Sequence, residues 1–252
     1  MSVVKTLIIL NVLIFVHELG HYVAARLAGV HVNEFAIGFG PAIFSFMRNN
    51  TTYSLRLVPL GGFCSLQGME EKDDEVNEEG NFLDKPILWR MFIIVAGPLM
   101  NLITAIVIFI ILSLVFFRAP IGVAIVGSLQ EFWYILQIIF VALRDIFVVG
   151  TAELTGPVGV VNIVGEVAQT YDMLLFLTAV ISINLGIMNL LPIPGLDGSR
   201  AVFLLIEAIQ KRPINPKREA FIHGLGLMFL LIVMVFVTYQ DIIRILGEGG
   251  II

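Results

Sequence analysis

Four stretches of this chain stay apolar for the length of a bilayer crossing: Thr6 to Ala28, Met91 to Phe117, Met173 to Leu191 and Ile222 to Tyr239. A helix rises about 1.5 Å per residue, so some twenty apolar residues cover a hydrocarbon core about 30 Å thick. Each stretch is therefore predicted to be a transmembrane helix. A fifth run, Phe132 to Gly150, holds Arg144 and Asp145 and fits a crossing or an amphipathic helix lying at the interface. Between the first two spans the period changes: Tyr53, Leu55 and Leu57 alternate with Ser54 and Arg56 after the turn-like pair Asn49-Asn50. That alternation predicts a β-hairpin over Phe35 to Phe63, within the segment 31–66.

Composition agrees with lipid as the solvent. Hydrophobic residues make up 58% of the 252 positions and charged residues 14%, unlike an ordinary soluble domain. The net charge of -5 offers no basic face, so no nucleic-acid partner is expected. The one cysteine, Cys64, has no second thiol with which to form an internal disulfide or a thiolate metal site. Any metal ligands must come from His, Asp or Glu. Lys5 ahead of an apolar run resembles a secretory leader, but the run from Thr6 to Gly29 is long enough to span and carries the polar residues described next. Glu70 to Asp84 form an acidic run, expected as a solvated loop over 67–90. Basic residues gather after the first and third spans, which predicts those loops on the cytoplasmic side and both termini outside.

His17-Glu18-Leu19-Gly20-His21 lies inside the first apolar stretch. A separation of four residues puts both imidazoles on one helix face, where they can reach a single ion, with Glu18 beside them to take a proton from an activated water. A polar cluster that merely joins helices would not need two imidazoles at ligand spacing. His31 and His223 each stand alone near a span end and are read as non-ligands.

A catalytic zinc site commonly takes three protein ligands. The candidate for the third is Asp197, in Asn189-Leu190-Leu191-Pro192-Ile193-Pro194-Gly195-Leu196-Asp197-Gly198. Its prolines and glycines break the helix and can turn a carboxylate inward, although a plain span-ending turn would look the same. Parity favours the ligand. His17 and His21 fall in the cytoplasmic half of an inward-running span, so Asp197 meets them only if the third span also runs inward. The chain between Arg118 and Asp172 must then begin and end outside, which makes Phe132 to Gly150 interfacial or re-entrant. The expected fold is an all-α multi-pass membrane protein with four transmembrane helices, a membrane-associated β-hairpin and an interfacial helix. It forms a single membrane-embedded domain over 1–252, with spans at 1–28, 91–117, 172–198 and 222–240, an outer segment at 118–171 and a cytoplasmic loop at 199–221.

These residues resemble the site-2 protease family of intramembrane zinc metalloproteases, in particular its bacterial regulatory branch. The resemblance rests on His17 to His21, Gly38-Phe39-Gly40, Pro59-Leu60-Gly61-Gly62, Gly97-Pro98 through Asn101, Thr155-Gly156-Pro157 and Asn189 to Gly198. It implies that His17, His21 and Asp197 hold Zn2+ and that Glu18 activates water. Asn189 and the hairpin glycines Gly38 and Gly40 are implied to bind substrate, the hairpin being re-entrant. It further implies a bacterial cytoplasmic-membrane location and single-pass membrane substrates, such as anti-sigma factors or remnant signal peptides. Members of that branch commonly carry PDZ domains after the second span, whereas here a short connection separates Phe117 from Phe132. A metal transporter would spread ligands over several helices or repeated halves, and a silent scaffold would lose the Glu or a ligand.

Overall fold

The computed structural model describes residues 2–69, 80–148, 156–212 and 214–248. Most of the expected acidic run, 70–79, lies outside the described residues, as do Val149, Gly150 and Thr155. Among the described residues, seven α-helices and one two-stranded sheet follow in chain order: α1 (Ser2–Leu27), β1 (Val32–Arg48), β2 (Thr51–Leu66), α2 (Ile87–Ile111), α3 (Ile121–Val148), α4 (Pro157–Val167), α5 (Tyr171–Leu190), α6 (Asp197–Gln210) and α7 (Pro216–Glu248). A π-helical turn, Leu112–Phe116, prolongs α2.

Beside the four expected spans, a fifth helix is long and apolar enough to cross a membrane by length and composition. The addition is α3. Its helix starts at Ile121 rather than near Phe132, so the expected connection shrinks to the few residues around Pro120, whose carbonyl accepts the Ala124 amide at 2.9 Å. Gly122 and Gly127 weaken the helical signal of its first turns, since glycine is a poor helix former.

The hairpin forms over Val32 to Leu66, wider than the Phe35 to Phe63 run and inside the expected segment 31–66. Asn49 and Asn50 both adopt positive φ, 50° and 60°, the geometry of a tight two-residue turn that Asn tolerates. Phe46 pairs with Tyr53 and Arg48 with Thr51 next to that turn. Further along, β2 doubles back. Residues 34–37 of β1 pair with 62–65 on one side and with 52–55 on the other. The segment from Gly62 to Leu66 thus has one β partner and forms an outer edge. The crossing point requires Gly38, at φ 89°, because a Cβ there would stand 2.6 Å from the Val58 carbonyl oxygen.

Contacts divide the chain into two compact units. One comprises Leu7–Asn101 and Leu185–Leu227. Its core packs Ala24 and Ala25 of α1 with Val32, Leu66, Ile93, Ile94, Ala96 and Leu204. A buried ion pair, Arg90 Nη1 to Glu207 Oε1 at 2.7 Å, ties α2 to α6, with the guanidinium over the Phe82 ring.

The other unit comprises Met1–Thr6, Leu102–Asn184 and Met228–Ile252. Here α4 is held at both ends by charges that suit its dipole. The fully buried Asp241 accepts the Gly159 amide at 2.7 Å at the helix start, and Lys5 donates to the Ala168 carbonyl at 3.2 Å at its end. Arg244 bonds the second Asp241 oxygen at 3.0 Å. Substituting Asp241→Ala strips α4 of this acceptor inside an apolar environment. The variant is expected to lose about 1–3 kcal/mol, read as a lower thermal midpoint in detergent, and Asp241→Asn should lose less because it still accepts.

Candidate active site

Two apolar helices and one helix break bring the site together in the unit of Leu7–Asn101 and Leu185–Leu227. α1 carries His17 and His21 one turn apart on one face, with Glu18 next along the chain from His17. Asp197 is the first residue of α6, where the chain has left α5 at Leu190 and turned through Pro192 and Pro194. His17 Nε2 stands 2.9 Å from Asp197 Oδ2, His21 Nε2 3.3 Å from the same oxygen, and the two Nε2 atoms are 3.2 Å apart. Among the described residues, this is the one group of three such side chains with its donor atoms gathered within 4.8 Å.

The donor set can be tested against zinc. Four ligands at about 2.0–2.1 Å in a tetrahedron place neighbouring donors about 3.4 Å apart. The three observed separations need only a few tenths of an ångström of outward movement. Two imidazole nitrogens and a carboxylate oxygen also match the chemistry of a catalytic zinc site, which keeps a fourth position for water.

The far side of each ring is held as a metal ligand requires. His21 Nδ1 lies 2.8 Å from the Ile93 carbonyl of α2. A carbonyl only accepts, so Nδ1 carries the proton and Nε2 is left with its lone pair. His17 Nδ1 faces the side-chain amide of the buried Asn101 at 3.4 Å. The facing atom is Asn101 Nδ2, which donates to Nδ1 when the ring proton is on Nε2; with Nε2 on a metal, Nδ1 would carry the proton and the amide would turn its oxygen to it.

Room for His21 comes from Gly97. A Cβ at that position would run into the His21 ring. On the facing helix, a Cβ at Gly20 would meet the Ala96 carbonyl, so α1 and α2 approach backbone to backbone here. Pro98 follows at once and cannot donate to the Ile94 carbonyl, which opens the helix ladder one residue from the Ile93 acceptor.

Glu18 sits beside the donor cluster and outside it. Its carboxylate accepts the Cys64 backbone N–H, and a Cβ at Gly62 would stand 3.5 Å from Glu18 Cγ. The outer edge of the sheet therefore faces the carboxylate. Two cavities meet at this point. One, of about 220 Å³, is lined by Ile14, Asn101, Leu185 and Asn189. The other, of about 350 Å³, is lined by Phe63 to Leu66, Arg200 and His223. Glu18, Gly195, Leu196 and Asp197 border both.

The structure thus brings together His17, Glu18, His21, Asp197 and Asn189. It does not bring Gly38 and Gly40 to either cavity, and the hairpin residues at the site are those of the 62–66 edge. Residue reasoning assigned no role to Asn101, Gly97 or the Ile93 carbonyl. A polar side chain four residues after a glycine in an apolar span was the available signal for the first two.

A family model described as peptidase family M50 matches residues 5–233. The chain is 28% identical to the regulator of sigma-W protease RasP of Bacillus subtilis over 416 residues, covering 97% of this chain and 99% of that protein. It is also 28% identical to the zinc metalloprotease RasP of Bacillus licheniformis over 415 residues, with the same coverage. Both matches run well beyond the 252 residues of this chain, so these relatives carry internal sequence without a counterpart here.

Proposed function

The chain belongs to peptidase family M50, the site-2 protease family, and on that premise we propose that it is a zinc-dependent endopeptidase cleaving the transmembrane segments of membrane-anchored proteins. The observation that carries the proposal is the convergence of His17, His21 and Asp197 beside Glu18, within apolar helices and next to a strand edge that has one β partner among the described residues. The two Nε2 atoms and the Asp197 carboxylate would hold zinc, which would polarise the scissile carbonyl as a Lewis acid and lower the pKa of a water to about 7. Glu18 accepts a proton from that water as the new C–O bond forms. It then passes the proton to the amide nitrogen as the C–N bond breaks. Asn101 and the Ile93 carbonyl keep the two rings aimed while this happens.

A helical substrate hides its amides in internal hydrogen bonds, so the segment must unwind before attack. The 62–66 edge offers replacement partners by strand addition. The two cavities flanking Glu18 receive the chain on either side of the scissile bond, and Asn189 bonds the substrate backbone in the smaller one.

In this reading four helices cross: α1, α2, α5 and α7. α3 is interfacial or re-entrant despite its length, because a single crossing between α2 and α5 would carry Asp197 to the wrong face. Both termini then lie outside a bacterial cytoplasmic membrane. The sigma-W relative points to anti-sigma factors as a substrate class; remnant signal peptides are the other.

Purified protein in liposomes with a single-span substrate tests this directly. Cleavage inside the span, mapped by fragment mass, should vanish on chelation and return when zinc is restored. A cut confined to the soluble flanks, or one that chelator does not touch, rules the proposal out.

A further inference from the structure

The turn that delivers Asp197 makes few backbone hydrogen bonds beyond itself. Pro192 and Pro194 have no N–H to donate. Ile193 and Leu196 spend theirs locally, on the Leu191 carbonyl at 2.7 Å and the Ile193 carbonyl at 3.0 Å. The Gly195 amide instead leaves the turn and donates to Nδ1 of His223, on α7, at 3.2 Å. That acceptor fixes the ring with its proton on Nε2, which lies 3.9 Å from a Glu219 carboxylate oxygen. The imidazole is packed edge-on against Phe203 of α6, with centroids 5.7 Å apart. One turn along α7, a Cβ at Gly226 would collide with the Pro194 carbonyl, and a Cβ at Gly195 would stand 3.0 Å from the Leu227 amide nitrogen. Backbone thus meets backbone one turn along α7 from the His223 bond.

We propose that His223 is a positioning residue for the metal site: by accepting the Gly195 N–H, it locks the proline turn so that the Asp197 carboxylate meets His17 and His21. The three atoms of the donor cluster come from two elements. The rings are aimed by α2, whereas among the described residues the carboxylate is bonded only to those rings and follows the turn that begins before it. α7 carries no ligand, yet it sets where the third ligand stands. The inference rests on Asp197 being a ligand.

The bond, not the bulk of the ring, is what the proposal requires, and two amide side chains separate these. In His223→Asn the side-chain oxygen falls near the position of Nδ1, whereas in His223→Gln it falls one bond further out. The full chain is purified in detergent, and zinc affinity is measured by competition with a chelator. The d–d absorption of the Co2+ form reports the geometry around the metal without any turnover.

His223→Gln is expected to bind zinc about 10–100-fold more weakly and to shift the Co2+ spectrum, whereas His223→Asn keeps both near wild type. Equal affinities and spectra for the two variants overturn the inference. If the Gln form does not fold, Gly226→Ala, which displaces Pro194 without touching the ring, must weaken zinc; wild-type affinity in it is equally fatal. Asp197→Ala separates the two levels. If it binds metal as wild type does, the ligand assignment itself fails; if it loses metal while His223→Gln does not, only the role of His223 falls.

Discussion

Glu18→Gln is expected to slow cleavage of a membrane substrate by about 10²–10⁴-fold, the usual contribution of a general base, without lowering the zinc content. Both halves follow from where the side chain lies. The donor cluster consists of His17, His21 and Asp197, so removing the Glu18 charge takes no ligand away. The amide is the same size as the carboxylate and can still accept the Cys64 N–H, so the strand edge beside Gly62 keeps its place. What the amide cannot do is take a proton. The defect should therefore appear in kcat with little change in KM, as for an interaction used in the transition state and not in substrate binding. Glu18→Asp, with its carboxylate drawn back by one methylene, should fall between the two. A Glu18→Gln form that cuts at the wild-type rate would remove this residue from the chemistry, and one that loses its zinc would make it a ligand.

What could be read in the sequence was what is local or periodic. The spacing of His17 and His21 is a property of one helix, and the break at Pro192 to Gly195 marks the end of α5 within a residue or two. The Asn49-Asn50 turn was equally visible, because φ > 0 at adjacent positions selects particular residues. The hidden parts depend on distant partners. Nothing in residues 17–21 says that the Ile93 carbonyl takes the His21 proton, or that Gly97 gives the ring its space. Nothing in Gly62 to Leu66 says that this segment leaves the hairpin to pair with residues 34–37. α3 was misjudged at its start because Pro120, Gly122 and Gly127 look like a connection when judged one at a time. α4 is too short to register as a span, and its ends are secured by Lys5 and Asp241 from far along the chain. His223 was read as a lone histidine, since its partner is a backbone amide and backbone partners leave no trace in composition.

Gly97→Ala tests the least visible of these features, and a single methyl group is expected to abolish activity by displacing a ligand. The added Cβ would fall on the His21 imidazole, at the edge that carries Nε2. The ring cannot easily move aside, because its Nδ1 is bonded to the Ile93 carbonyl on the same helix that presents Gly97. Moving α1 away from α2 would relieve the clash only by opening voids in the core that Ala24 and Ala25 share with Ile93, Ile94 and Ala96. Such overpacking costs about 1–3 kcal/mol, small enough for the protein to stay folded. The effect on metal is larger. Disturbing a residue that only supports a ligand typically costs 10–100-fold in affinity, and here the ligand atom itself is pushed, so a loss of at least about 100-fold is expected. Alanine is the better helix former at this position, so an unstrained Gly97→Ala protein would gain stability and keep its zinc. Zinc content after gel filtration, set beside the thermal midpoint, distinguishes the outcomes. Low zinc in a folded chain supports the packing described here, and a stable, zinc-replete, active variant would show that His21 is not held against Gly97.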